Sequence, residues 1–507
     1  MVRGTAVGAA LALIAGVGTA STPAGASGQE RMSLSLAEAI RIAKDGNPAF
    51  LSATNDLDRA TWQVREAWGQ FLPSVTAGGG AQYEYAGVQR FGIFSSADIA
   101  AGTTDYLLSS YFLSVNWSID GNTFFQARSA RANQRAAEAS GAADEFALEA
   151  AVTLQYLAAL RARDAVEVAE RQVARWEQNF ALISARVDAG AALSTEGKQS
   201  EVDLGRARVA LLRAENLYRT EIARLMEQLG TDLGAPLELA SDFAVFEPGW
   251  DRRELIETAM SGHPGLRAAL ASEASASAQV NRARSSYFPT VSASAVWSGF
   301  TRQVGNRDYV VQQARGSVDR QQRSCQFDNA LLAHLQDLPG LTAEDCSKYV
   351  LTEQMRQRVL AANQTFPFDF TRQPLSLRLS VSLPVFEGFT RQRNIAQAQA
   401  DRRDATYARR AEELRLRAAV TQSYDDLATA YRALRIQERN LEVASEQLEL
   451  ARRRYTLGAA PFLELLDAED SMAQSERDHL AAVYDFHAAI WSLEAAVGQR
   501  LRPDNEL

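Results

Sequence analysis

Cysteine and histidine are scarce in this 507-residue chain, which has 2 of the first and 4 of the second. With so few ligands a zinc site is not expected. His479 and His487 stand two helical turns apart on one face, and without carboxylate partners that spacing reads as packing. Proline is limited to 13 residues and no long low-complexity tract occurs, so the chain is an ordered protein. Positive charge is in deficit: the formal net charge is -9, against the concentrated basic surface of a nucleic-acid binder. Phosphate-cradling glycine loops, His–carboxylate metal spacings and nucleophile motifs are missing too. The expectation is a protein that is not an enzyme, holds no cofactor and binds no nucleic acid. After the N-terminus no run of ~20 apolar residues occurs, so no helix is expected to span a bilayer.

The N-terminus does carry a short apolar run, in MVRGTAVGAALALIAGVGTASTPAGASGQE, followed by Ala24-Gly25-Ala26 as a small-residue cleavage site. Residues 1–26 read as a signal peptide. With no Cys beside the cut, lipid attachment there is excluded. An exported chain without an apolar helix is expected to be soluble or a β-barrel. Cys325 and Cys346 lie 21 residues apart in a polar region, and an oxidising compartment makes a disulfide the expected reading.

The chain repeats itself. AAVTLQY at 150–156 recurs as AAVTQSY at 418–424, and the same offset of 268 carries Gly190 onto Gly458, Glu196 onto Glu464 and Gly230 onto Gly498. Earlier, Gly46-Asn47-Pro48 matches Gly262-His263-Pro264 and Leu72-Pro73-Ser74 matches Phe288-Pro289-Thr290 at an offset of 216. The difference, 52 residues, measures an insertion in the second half that holds both cysteines. The domains expected are a first repeat at 27–262, a second at 263–500 and a C-terminal tail at 501–507.

Two periods fill each repeat. Val420, Leu427, Leu434, Leu441, Leu448 and Tyr455 are spaced by seven, as are Val152, Ala159, Val166, Val173, Phe180 and Val187. A seam of that period implies left-handed coiled-coil packing, with long helices over about 121–230 and 388–498. Strict alternation marks four strands, about 74–86, 111–120, 289–299 and 374–386. Each has one apolar and one polar face, as Tyr111, Leu113, Val115 and Trp117 against Ser114, Asn116 and Ser118. Their length of ~10 residues suits a tilted strand crossing an outer membrane, and Tyr83, Tyr85, Tyr111 and Trp117 suit interfacial belts. A soluble sandwich with one solvated face would alternate in the same way. Four strands cannot close a membrane barrel, and lipid forbids open edges; a homotrimer would supply twelve.

Over 31–500 the sequence resembles the TolC family of outer-membrane efflux and secretion ducts. The resemblance rests on LAEAIRIAKDGNP, FLPSVTAGGG, VNWSIDG, VSLPVFEG and RYTLGAAPFLELLDAED, in that order and in duplicate. It implies a mixed α and β fold, a trimeric 12-stranded barrel in the bacterial outer membrane continuous with a long periplasmic α-helical coiled-coil barrel. An equatorial link would occupy about 231–262, and the insertion at about 304–373 would be a surface loop. The implied activity is passive conduction, in a tripartite efflux pump or a type I secretion system. The implied partners are two further copies of the chain, outer-membrane lipid, a periplasmic adaptor (membrane fusion) protein and an inner-membrane transporter.

By the same resemblance, the turns at Gly190, Gly458 and Pro461 lie at the periplasmic tip. Glu464 and Asp467 would form an acidic entrance ring able to bind cations, and Tyr455 would reach Glu196 in a gate network. Residues i and i+3 do share a helix face, and threefold symmetry would gather six carboxylates. The plainer reading of the acids is a favourable helix dipole, worth about 0.3–1 kcal/mol. The position two after the turn glycine, basic in the family, is Ala460 here, so one link of the closing network is missing. A soluble periplasmic coiled-coil adaptor or chaperone is the competing expectation; it leaves the four strands unexplained.

Overall fold

The computed structural model describes residues 32–87, 90–91, 94–95, 104–231, 237–241, 243–334 and 342–502. The expected signal peptide at 1–26 lies outside them, as do 503–507 of the tail. In chain order the first elements are β1 (Met32–Leu34), α1 (Leu36–Gly46), α2 (Pro48–Gly69), β2 (Ser74–Glu84), β3 (Arg90–Phe91), β4 (Phe94–Ser95) and β5 (Tyr106–Ile119). Then come α3 (Gly121–Asp188), α4 (Ser194–Leu229), β6 (Leu237–Leu239), α5 (Arg252–Gly262), α6 (Pro264–Arg284) and β7 (Thr290–Val304). The chain continues with α7 (Arg307–His334), α8 (Glu353–Ala362), β8 (Thr371–Arg372), β9 (Ser376–Ser382), α9 (Thr390–Thr456) and α10 (Phe462–Val497).

The described residues form two compact units, and each draws on both sequence halves: those within 32–54, 141–264 and 413–502 form one, those within 55–140 and 265–412 the other. The reason is pairing across the halves. In the strand-bearing unit the sheet runs β2-β5-β7-β9, all antiparallel, so β5 of the first half pairs with β7 of the second.

The register sorts the side chains. Val75, Val115, Ala295 and Leu377 stand opposite one another across the four strands, as do Ala77, Leu113 and Trp297. One residue on, Ser74, Asn116, Ser294 and Arg378 are aligned on the other face. A one-residue slip would move the whole apolar set to the polar side, so the alternation fixes the register. β5 begins at Tyr106, earlier than the apolar run suggests, because residues 106–110 pair with both β2 and β7.

The segment expected as a surface loop at about 304–373 contains α7, α8 and β8. α7 buries Val310, Val318 and Cys325 along one stripe, and a disulfide joins Cys325 to Cys346. The helical stripe is thin in a polar sequence, which is why periodicity did not expose it.

In the helical unit α1, α3, α4 and α10 share one core, with Leu36, Ala39, Val152, Tyr156, Leu225, Leu229 and Trp491 buried together. A second core joins Val420, Leu427 and Leu434 of α9 to Phe486, Ile490 and Leu493 of α10 and Leu255 of α5. Burying each such Leu contributes about 1.5–3 kcal/mol. The Gly-x-Pro repeats sit at equivalent junctions. A Cβ on Gly230 would lie 2.1 Å from the Gly46 carbonyl oxygen, and one on Gly498 would lie 2.8 Å from the His263 Cα. His487 is buried against the rings of Phe243 and Phe486.

Candidate functional site

The hairpins α3–α4 and α9–α10 end in turns of one build. Gly190 has φ +71° and Gly458 φ +74°, a left-handed backbone that glycine adopts without strain. Ala191 N donates to Arg186 O at 2.7 Å, and Ala459 N to Arg454 O at 2.8 Å. These bonds use up carbonyls that a helix end leaves orphaned. Pro461 is the cap residue before α10, one position outside the first turn, and its carbonyl accepts from Glu464 N at 3.1 Å.

Side chains then tie the two turns together. Tyr455, 3% exposed, donates from Oη to Glu196 Oε2 at 2.9 Å. Burial first, and the Glu196 bond second, push its pKa up from 10.0 to about 12, opposed by the charge of Arg186. Tyr455 is therefore a neutral donor at any physiological pH.

Arg186, in the last turn of α3, lies over the Tyr455 ring with its guanidinium carbon 4.6 Å from the centroid. It also donates to the carbonyls of Tyr455, Thr456 and Ala191. A cation at a helix C-terminus is favoured by the dipole and by the free carbonyls. The first hairpin thus supplies a basic group where Ala460 supplies none. Sequence reasoning missed Arg186; the signal was an arginine one residue before a heptad position, at the end of a long helix.

The acids behave differently from one another. Half-buried Glu464 is ion-paired with Arg454 of its own hairpin. Asp467, one turn on, is exposed. Further along α10, desolvation and then the charges of Asp203 and Asp467 hold Asp470 above the ordinary carboxylate range.

Behind the turns lies a buried polar network also absent from the sequence expectations. Glu469, 2% exposed, accepts from Asn179 Nδ2 at 2.6 Å and Arg452 Nη2 at 3.3 Å, and its Oε2 is 3.6 Å from Arg175 Nε. Arg175 also grips both oxygens of Glu476, at 2.9 and 2.5 Å. The network joins α3, α9 and α10. Its sequence signal is Glu469 four residues after buried Leu465, on the apolar face of α10.

Comparisons with known proteins identify the family and the fold. The sequence model of the family "Outer membrane efflux protein" matches residues 39–231 and 350–499. Protein CyaE of Bordetella pertussis is 25% identical over 473 residues, covering 92% of this chain and 84% of the relative. The Campylobacter jejuni CmeC outer membrane channel aligns with TM-score 0.68 at 12% identity, over 93% of this chain and 88% of that one. A Pseudomonas aeruginosa membrane protein aligns with TM-score 0.67 at 19% identity, over 92% and 90%. The chain belongs to the outer membrane efflux protein family of TolC-like channels, and its place is the outer membrane.

Proposed function

We propose that this protein is the exit duct of a tripartite efflux pump or type I secretion system, conducting substrate passively out through an acidic constriction. Three copies close the β2-β5-β7-β9 sheets into a 12-stranded barrel and the helices into a tube. A periplasmic adaptor and an inner-membrane transporter feed it, and the transporter supplies the energy.

The observation that carries this reading is the sheet. Val75, Leu113, Val115, Ala295, Trp297 and Leu377 share one face, and among the described residues the outer edges of β2 and β9 have no strand partner. In lipid such edges must be paired, and copies of the same chain offer the matching edges. α9 adds support. Val420, Leu427, Leu434 and Leu448 are buried within the chain, while Ile436, Val443 and Leu450 keep the same spacing two residues out of phase and stay exposed. Two residues are about 200° around a helix, so α9 is apolar on opposite faces, as a helix between two neighbours must be.

At the turns, Tyr455, Glu196 and Arg186 hold the hairpins together, and Glu464 and Asp467 form the entrance ring. Purified protein in planar bilayers should give single channels blocked by divalent or trivalent cations from the helical side. A chain that inserts without conducting would overturn the duct. Crosslinking in cells, with identification of the adaptor captured, separates efflux from secretion. The alternative of a soluble periplasmic adaptor fails on the family match and on the strands.

A further inference from the structure

The insertion does more than cross the outside of the barrel: part of it folds back onto the apolar face of the sheet. Residues 363–373 form a strap that runs along the outer edge of β7, with Thr371–Arg372 in its ladder, and reaches over the face to β5 at Pro367 and Phe370. Asn363 bonds both main-chain groups of Val304, at 2.8 Å each, as a strand partner would. Phe366 N donates to Gln303 Oε1 at 3.2 Å, and Gln373 N donates to Ser298 O at 2.9 Å. Ser109 Oγ reaches the Pro367 carbonyl at 2.6 Å and lies 2.7 Å from Thr301 Oγ1.

Ser109 and Thr301 stand on the same face as Tyr111, Leu113, Val115 and Trp297. Hydroxyls on a lipid-facing surface would be costly if left bare. The strap covers them, leaving Thr301 1% exposed.

The strap's own side chains then replace the covered surface. Phe370 packs edge-on against Tyr111, with centroids 4.8 Å apart. Tyr111 can lie flat there because position 299 is glycine, where a Cβ would meet its Cε1 at 2.6 Å. Phe368 is 81% exposed. Arg372 pairs with Gly299 across the ladder, and opposed residues share a face, so this exposed cation stands on the apolar side among aromatic rings.

The position along the strand decides the meaning. From Ile119 to Ser109 is ten residues, or about 33 Å along the strand and ~25 Å once tilted by ~40°. That is the height of the apolar band of an outer-membrane barrel. The strap therefore sits at the band's outer border, at the end of β5 remote from α3. Aromatic rings and a snorkelling arginine are the residues that suit such a boundary.

We propose that the strap Asn363–Arg372 is a lipid-binding collar. Phe368 and Phe370 enter the headgroup–acyl boundary of the outer leaflet, and Arg372 meets the phosphate of an anionic outer-leaflet lipid. This rests on the apolar face being the lipid face, as in the duct reading.

The test uses the full-length protein with Phe368→Trp, reconstituted in phosphatidylcholine vesicles brominated near the headgroup end of the acyl chain. The native Trp117 and Trp297 lie on the same face and report the barrel. The difference emission between variant and wild type should be quenched by bromine and shielded from aqueous iodide. Quenching of wild type without quenching of the added tryptophan would overturn the collar and leave the duct standing. No quenching of either would overturn both. In the same vesicles containing diphosphorylated lipid A, Arg372→Gln should retain roughly fivefold less lipid A on repurification, as expected for one surface cation. Retention equal to wild type, with the native tryptophans still quenched, would overturn the headgroup contact.

Discussion

The two hairpin turns share a backbone and diverge in their side chains. Arg186 and Glu196 of the first turn stand at the offset of 268 from Arg454 and Glu464 of the second. In the second turn the pair closes on itself, Arg454 with Glu464. In the first, Arg186 crosses to the end of α9 and Glu196 accepts from Tyr455. Among the positions that differ, the residue after the arginine is Val187 in the first turn and Tyr455 in the second. A ring with a hydroxyl gives the cation a face and the carboxylate a donor. Local sequence alone would have paired each arginine with its own glutamate.

Substitutions in equivalent positions test this asymmetry. The largest effect should come from Glu469, whose counterpart Glu201 is exposed. Glu469→Ala removes the buried carboxylate shared by Asn179, Arg452 and Arg175, leaving Arg175 on Glu476 and Arg452 on Asn179, and should cost about 3 kcal/mol of stability. Glu201→Ala should stay within about 0.5 kcal/mol. Thermal unfolding of the two variants reads the contrast; equal shifts would remove the buried network from any special role.

Next comes the arginine pair. Arg186→Ala removes charged donors from helix-end carbonyls and should weaken the closed turn by about 1.5–3 kcal/mol. Arg454→Ala breaks a largely exposed pair, worth less than about 1 kcal/mol. Open probability in planar bilayers should therefore rise far more for Arg186→Ala.

Tyr455→Phe keeps the ring and loses one bond, about 1 kcal/mol, or roughly a fivefold gain in open state. The pH dependence has a definite sign. Burial and the bond to Glu196 hold Tyr455 protonated, with pKa about 12 against 10.0 when free. Its contribution is complete below pH 10 and is lost as pH rises towards 12. Alkali should thus open wild type and leave Tyr455→Phe unchanged over that window.

The smallest change concerns the acids. Glu464→Ala with Asp467→Ala should weaken cation block and change stability by no more than about 1 kcal/mol. Glu196→Gln, in the first turn, should leave block as it was. Block lost equally in both would show the entrance ring to be shared between the turns.

Much of the architecture could be read from the chain. The alternation of Leu113, Val115 and Trp117 against Ser114 and Asn116 specified strands with a lipid-ready face, since a period of two fixes which face each residue takes. The glycines at 190, 230, 458 and 498 marked turns because positive φ is costly for other residues. Tyr455 and Glu196 were found through resemblance rather than spacing, as they lie 259 residues apart.

Sequence by itself determined the strands, the heptad helices, the turns and the family. Each depends on local period or backbone preference, which a residue carries wherever it goes. The tertiary structure decided the partners: Arg186 on Tyr455, Glu469 among Asn179, Arg175 and Arg452, and the strap at 363–373 on the face of β5 and β7. Partners depend on which surfaces meet, and the two hairpin turns, which keep an arginine, a glycine and a glutamate in common, meet different ones.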